Sequence, residues 1–173
     1  SDKILSDKQK INPLPPFGFN VTDISSNVIN LTFSEDEISQ SFRKGHRMDI
    51  KSAINGGLTV DIYDCKNISK EFFLVYQNIH YQAAGRKTRP DKSWEIMFDF
   101  ITQGFSFLAL IKNRDCDNYI AGNLFLIYKK RAFYGSGATL PEFERLRGVG
   151  HLLQWEAIKY LKKIECDFYE IGW

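Results

Sequence analysis

The segment Arg145-Leu146-Arg147-Gly148-Val149-Gly150, running into His151-Leu152-Leu153-Gln154-Trp155-Glu156-Ala157-Ile158, decides how this chain is read. Two glycines one residue apart stand at the mouth of a run that is apolar over most of a helical circumference. A helix mouth carries unpaired N–H groups and about half a positive charge, so it favours anions. Glycine there lets a phosphate approach the backbone without meeting a Cβ. Arg145 and Arg147 add cationic charge at the same place. A glycine-rich turn that only lets a helix pack closely on a sheet would look the same, so the flanking elements must decide.

Outward from that helix, which the pattern carries to about residue 164, a strand is predicted over 166–171. Before it come three strands in close succession, over 105–112, 119–128 and 131–136. The first is almost wholly apolar, as in a strand buried on both faces. Turns at 113–118 and at Lys129-Lys130 separate the three. Earlier still, Leu58, Val60 and Ile62 alternate in a strand over 58–63. Phe72, Tyr76, Ile79 and Ala83 mark a helix over 69–84, and Trp94, Met97, Phe98 and Ile101 mark another over 91–103 with Gly104 as its stop. The loop Gly85-Arg86-Lys87-Thr88-Arg89-Pro90 joins them. A short strand is expected over 28–33. Ser34 then caps a helix, with Glu37 as its capping-box partner. The stripe Ile38, Phe42, Ile50, Ala53 and Ile54 predicts one helix as far as Gly56-Gly57. Its acidic start (Glu35, Asp36, Glu37) and later cations (Arg43, Lys44, Arg47, Lys51) match a single macrodipole. Residues 1–27, with Pro13, Pro15 and Pro16, read as a linker or N-terminal extension.

The chain has 173 residues, 43% hydrophobic and 14% aromatic, enough for one domain with its own core. A formal charge of +2 gives no general case for nucleic-acid binding. Cys65, Cys116 and Cys166 are odd in number and lack metal-ligand spacing, so they read as reduced thiols. No apolar run approaches 18 residues, and the expected location is cytoplasmic.

Three hairpin-linked strands followed by a helical crossover to a parallel strand give a mixed α/β sheet. That order, with Arg-x-x-Gly-x-Gly between strand and helix and Pro141-Glu142-Phe143 ahead of it, resembles the pyrophosphate loop and core of the GNAT acyl-CoA N-acyltransferases. Three further phrases are similar to the FemAB-like branch of that superfamily, whose members attach amino acids to peptidoglycan precursors and related acceptors. They are Arg43-Lys44-Gly45-His46-Arg47-Met48-Asp49-Ile50-Lys51-Ser52-Ala53, Tyr134-Gly135-Ser136-Gly137-Ala138 and Phe168-Tyr169-Glu170-Ile171-Gly172. The resemblance covers residues 28–173. It implies a GNAT-like domain lacking its last strands, which another chain or domain would complete.

The resemblance implies an acyltransferase without a metal, moving an acyl group from acyl-CoA (acetyl-CoA) to an amine of a cell-envelope or sugar precursor. Arg145, Arg147, Gly148, Val149, Gly150 and His151 would hold the pyrophosphate, and Ser136 on the Gly-rich strand would border the acyl group. Tyr134, Glu170 and His80 are the candidates for proton handling. Arg86, Lys87 and Arg89 are placed to bind an acidic, nucleotide-linked acceptor. Two other readings remain open. One is a FemAB-like enzyme using aminoacyl-tRNA, for which Arg43, Lys44, Arg47 and Lys51 would form the basic surface. The other is a non-catalytic half-domain that binds or supports a partner.

Overall fold

A computed structural model describes Gly18 and residues 26–114 and 118–172. Most of the 1–27 lead-in, together with Cys116 and Trp173, lies outside the described residues. The elements are β1 (Asn27–Asn30), α1 (Glu35–Ser41), α2 (Lys44–Asn55), β2 (Leu58–Tyr63), α3 (Lys70–Ala84), α4 (Asp91–Thr102), β3 (Ser106–Asn113), β4 (Tyr119–Tyr128), β5 (Arg131–Thr139), α5 (Val149–Lys163) and β6 (Phe168–Gly172). They form one mixed sheet in the order β1-β6-β5-β4-β3-β2, in which β5 and β6 are parallel and every other pair is antiparallel. The crossover from β5 through α5 to β6 is the one the sequence predicts.

The pleat of β3 sorts the core into two layers. Phe107, Ala109 and Ile111 face the layer built with α2 and α5, while Leu108 and Leu110 face the layer built with α3 and α4. All five are fully buried, each contributing roughly 1.5–3 kcal/mol for its larger members. The central strand is therefore dry on both sides, as its unbroken apolar run implies.

Ser34 caps α1 as expected, its hydroxyl accepting from the Glu37 amide and the Glu37 carboxylate accepting from the Ser34 amide at 2.8 Å. The single helix predicted from Ser34 to Gly56 is instead two. Phe42 and Arg43 are extended (ψ 145° and 146°). Arg47 Nη1 donates to the carbonyls of Gln40 and Phe42, so the broken end is satisfied by a side chain. The Phe42 ring meets Trp155 of α5 edge to face at 5.8 Å, which repays the break with packing. The break also overturns the macrodipole argument. Lys44 and Arg47 now sit in the first turn of α2, at its positive end, where cations are disfavoured.

The other boundary changes are small. Asn30 ends β1 early because its Oδ1 accepts from the Thr32 amide and hydroxyl, closing a turn into α1. β5 runs on to Thr139 and β6 starts at Phe168. Ser69 caps α3, and its buried face is Phe73, Tyr76, Ile79 and His80, one residue round from the predicted stripe at its start.

Candidate active site

β5 and β6 keep company for three residue pairs only, Arg131 with Phe168, Ala132 with Tyr169 and Phe133 with Glu170. Beyond Phe133 the strand β5 pairs with β4 alone. Its register on β4 jumps from Leu124–Ser136 to Phe125–Tyr134, so Gly135 is the extra residue of a β-bulge. The sheet therefore opens between the carboxyl ends of two parallel strands, where α/β folds hold ligands. α5 begins at this same end, because it leaves β5 and returns to the start of β6.

Two groups of side chains flank the opening. On the α5 face, Tyr134 packs against Phe125 at 5.9 Å, and Tyr169 donates from its hydroxyl to Gln154 Oε1. A Cβ at Gly137 would collide with both Asn123 Oδ1 and Tyr134 Oη, so this glycine leaves room for a buried amide and a phenol to meet over the backbone. Burial holds the Tyr134 hydroxyl above its ordinary pKa, so it stays protonated at neutral pH and can give a proton but not take one. On the α3 face, Tyr76 Oη bonds to Ser136 Oγ at 2.7 Å and to the Ser136 carbonyl at 3.1 Å. Glu170, paired with Phe133 and next to Tyr169, lies by the pleat on the face opposite Tyr134. Tyr134 and Glu170 are thus on neighbouring strands but on opposite sides of the sheet.

His80 is buried in α3, 8% exposed, against Tyr76 at 4.7 Å and Trp94 at 5.4 Å. Burial, with Arg89 adding to it, lowers its pKa to about 4, so it is neutral at pH 7. Within the 85–90 loop, Lys87 pairs with Asp91 at 2.6 Å and Arg86 is exposed. Arg89 lies over the Trp94 ring, 5.2 Å from its centre.

The mouth of α5 divides its two glycines. Gly148 has φ +85°, and a Cβ there would run into the Asp49 carbonyl and approach Ala53 Cβ to 3.0 Å. This glycine is spent on letting α2 cross close by. Nothing lies within 4 Å of the Cβ position at Gly150, which faces out. No side chain caps α5. Arg147 Nε donates to Asp49 Oδ1 at 2.5 Å, which holds the Asp49 carboxyl below its usual range. His151 Nε2 and His46 Nδ1 share a hydrogen bond at 2.8 Å, and His151 Nδ1 is 3.8 Å from Asp49 Oδ2. Val149 is buried and Arg145 is exposed. Arg147, expected to meet an anion, is thus engaged by a carboxylate from α2.

Sequence reasoning gave no site role to Asp49, His46, Tyr76 or Asn123. His46 and Asp49 are three apart on one helix, and Tyr76 and His80 are four apart on another. Those spacings were the available signal.

No family model matches the sequence, and no curated protein matches it either. Solved structures do. FemX superposes with a TM-score of 0.66 at 18% identity, over 85% of this chain and 52% of FemX. L-PGS from Bacillus licheniformis gives 0.62 at 15% identity, over 85% of this chain and 44% of that one. The chain shares the GNAT-type mixed α/β fold of these structures. The aminoglycoside acetyltransferase meta-AAC0020, from an uncultured soil metagenomic sample, matches a smaller share of the chain, with a TM-score of 0.52 at 12% identity over 65% of this chain and 74% of the enzyme. The chain spans about half the length of FemX and less than half of L-PGS. Among the described residues, no helix is long and apolar enough to cross a membrane.

Proposed function

We propose that the chain is an N-acyltransferase domain whose reaction takes place in the opening between β5 and β6. The bulge at Gly135, with the departure of β6 beyond Phe133, carries this reading. Strand amides that no longer meet a neighbouring strand can donate to an acyl carbonyl. Such donors are worth most where charge develops, on the oxygen of the tetrahedral intermediate. The acceptor amine attacks the carbonyl carbon, the C–N bond forms, and collapse of the intermediate breaks the bond to the carrier. The amine loses a proton and the departing carrier atom gains one. Tyr134, kept protonated by burial and borne by the strand that lines the opening, would supply the second of these protons.

The carrier in this reading is coenzyme A, its pyrophosphate resting at the open Gly150 end of α5 with His151 and Arg145 beside it. The acceptor is an amine of a cell-envelope or sugar precursor. One observation favours a second carrier. Arg43, Lys44 and Arg47 are exposed around the positive end of α2, while Asp49 occupies Arg147. Cations kept where a helix dipole disfavours them suit a polyanion such as aminoacyl-tRNA.

Thermal stabilisation separates the carriers. Coenzyme A and acetyl-CoA should raise Tm in the native protein and fail to do so in Gly150→Trp, whose new side chain fills open space. Protection by charged tRNA alone, fading steeply with salt, would establish the second carrier. Protection by neither removes the acyl-transfer reading.

A further inference from the structure

The corner where the end of α3, the 85–90 loop and the first turn of α4 meet holds an unbalanced set of polar atoms. Trp94 Nε1, His80 Nε2 and Thr88 Oγ1 are all buried and without a hydrogen-bond partner. Trp94 is only 2% exposed and His80 8%. Such atoms are rare in folded proteins, because a buried polar group left unpaired forfeits its hydration without replacement. His80 stands towards the end of α3, Thr88 in the loop that follows and Trp94 at the start of α4. The His80 and Trp94 rings meet at 5.4 Å, and each touches Tyr76 as well, at 4.7 and 6.1 Å.

The chemistry of the set is one-sided. Indole N–H can only donate, and a hydroxyl and an imidazole nitrogen can each donate. Arg89, half-buried, stacks on Trp94, and among the described residues no carboxylate pairs with it. It is the charge felt at both His80 and Tyr76, and no acid acts on His80. A half-buried guanidinium beside an indole N–H, a hydroxyl and an imidazole that donates in one tautomer suits an oxyanion, whose oxygens accept from all of them, whereas a buried water would leave the cation without a counter-charge. The loop is framed by Gly85 at φ +63° and by Pro90, and its other paired cation, Lys87, turns away to Asp91.

We propose that this corner binds an oxyanion, a carboxylate or phosphate group of the acceptor, with Arg89 as counter-charge and Trp94, Thr88 and His80 as donors. Tyr76 links the corner to the reaction site. Its ring forms one wall, and its hydroxyl bonds to Ser136 on the stretch of β5 that borders the opening. An acceptor anchored here by its anionic group would present an amine across Tyr76. That part of the inference rests on the proposed acyl transfer; the binding of an oxyanion does not.

Indole N–H resonances of the ¹⁵N-labelled chain test it directly, with the Trp94 signal assigned through Trp94→Phe. Acetate and inorganic phosphate are titrated at pH 7 against sodium chloride at equal ionic strength, with no acyl donor present. One of them should shift the Trp94 signal saturably, and Arg89→Gln should weaken that binding by about tenfold or more while keeping the native Tm. Saturation by acetate first identifies a carboxylate, and by phosphate first a phosphoryl group. A shift that chloride reproduces, or that Arg89→Gln leaves unchanged, overturns the proposal. So does a contact from the indole N–H to a bound water that persists at the highest anion concentration. Because no donor is used, failure here leaves the acyl-transfer reading standing, and failure of the coenzyme and tRNA test leaves this one standing.

Discussion

Acidification through the range of His80 should cost the fold about 3 kcal/mol. In an unfolded chain the imidazole titrates near 6.5, whereas burial beside Tyr76 and Trp94, with Arg89 nearby, brings it to about 4 in the folded protein. Between those values the unfolded chain binds a proton that the folded chain refuses. Stability is therefore full above pH 6.5, falls as pH drops, and loses the whole contribution below about 4. At about 1.4 kcal/mol per pH unit the gap amounts to about 3 kcal/mol, a large part of a total stability of about 5–15. Urea unfolding from pH 7.5 to 4, in piperazine–chloride buffers free of oxyanions, reads it. His80→Gln does not titrate here and carries every other acid-sensitive group unchanged. The stability of the native chain relative to that variant should shrink by about 3 kcal/mol across the range. Parallel curves for the two proteins would refute the reasoning, because they would mean that the imidazole is hydrated in the fold.

Gly148→Ala should destabilise the chain by roughly 2–4 kcal/mol, from positive φ and a collision with the α2 backbone. Gly150→Ala, at an open helical position, should be neutral or stabilising by up to about 1 kcal/mol; chemical denaturation of the pair compares them. Gly137→Ala should disturb Asn123 and Tyr134 together, lowering kcat by about tenfold or more with a smaller change in KM, and steady-state kinetics with the carrier identified by thermal stabilisation would show it. Ser34→Ala removes the capping box and should cost about 1 kcal/mol in the same denaturation assay.

Much of the fold is legible because its signals are local. The apolar run of β3, the stop at Gly104, the Ser34–Glu37 box and the glycine pair before α5 each state their own structure. The break between α1 and α2 is not local, since neither glycine nor proline stands at Phe42 or Arg43, where it falls. It is fixed by Phe42 finding Trp155 and by Arg47 reaching back to two carbonyls. The site was legible in part. That residues 145–151 gather at the mouth of α5 could be read from the motif, but Asp49 reaches Arg147 from another helix, and no spacing announces that. Whether Tyr134 and Glu170 share a face depends on which residues of β5 and β6 stand opposite each other, and a one-residue change reverses the answer. That Asp91 claims Lys87 while Arg89 lies over Trp94 is likewise not written in the composition of that loop.

The pairing of β1 with β6 has a consequence for how the molecule assembles. Asn30 stands opposite Phe168, and Lys162 at the end of α5 donates to the Leu31 and Phe33 carbonyls just after β1. Everything from α1 to α5 must be synthesised before β1 can find its neighbour. Contacts so distant in sequence are costly to close, so β1 should dock late, after the hairpins of β3, β4 and β5 have nucleated. On the ribosome that strand would wait longest for its neighbour, and a chaperone or a cleaving protease would meet the growing chain there before β6 emerged.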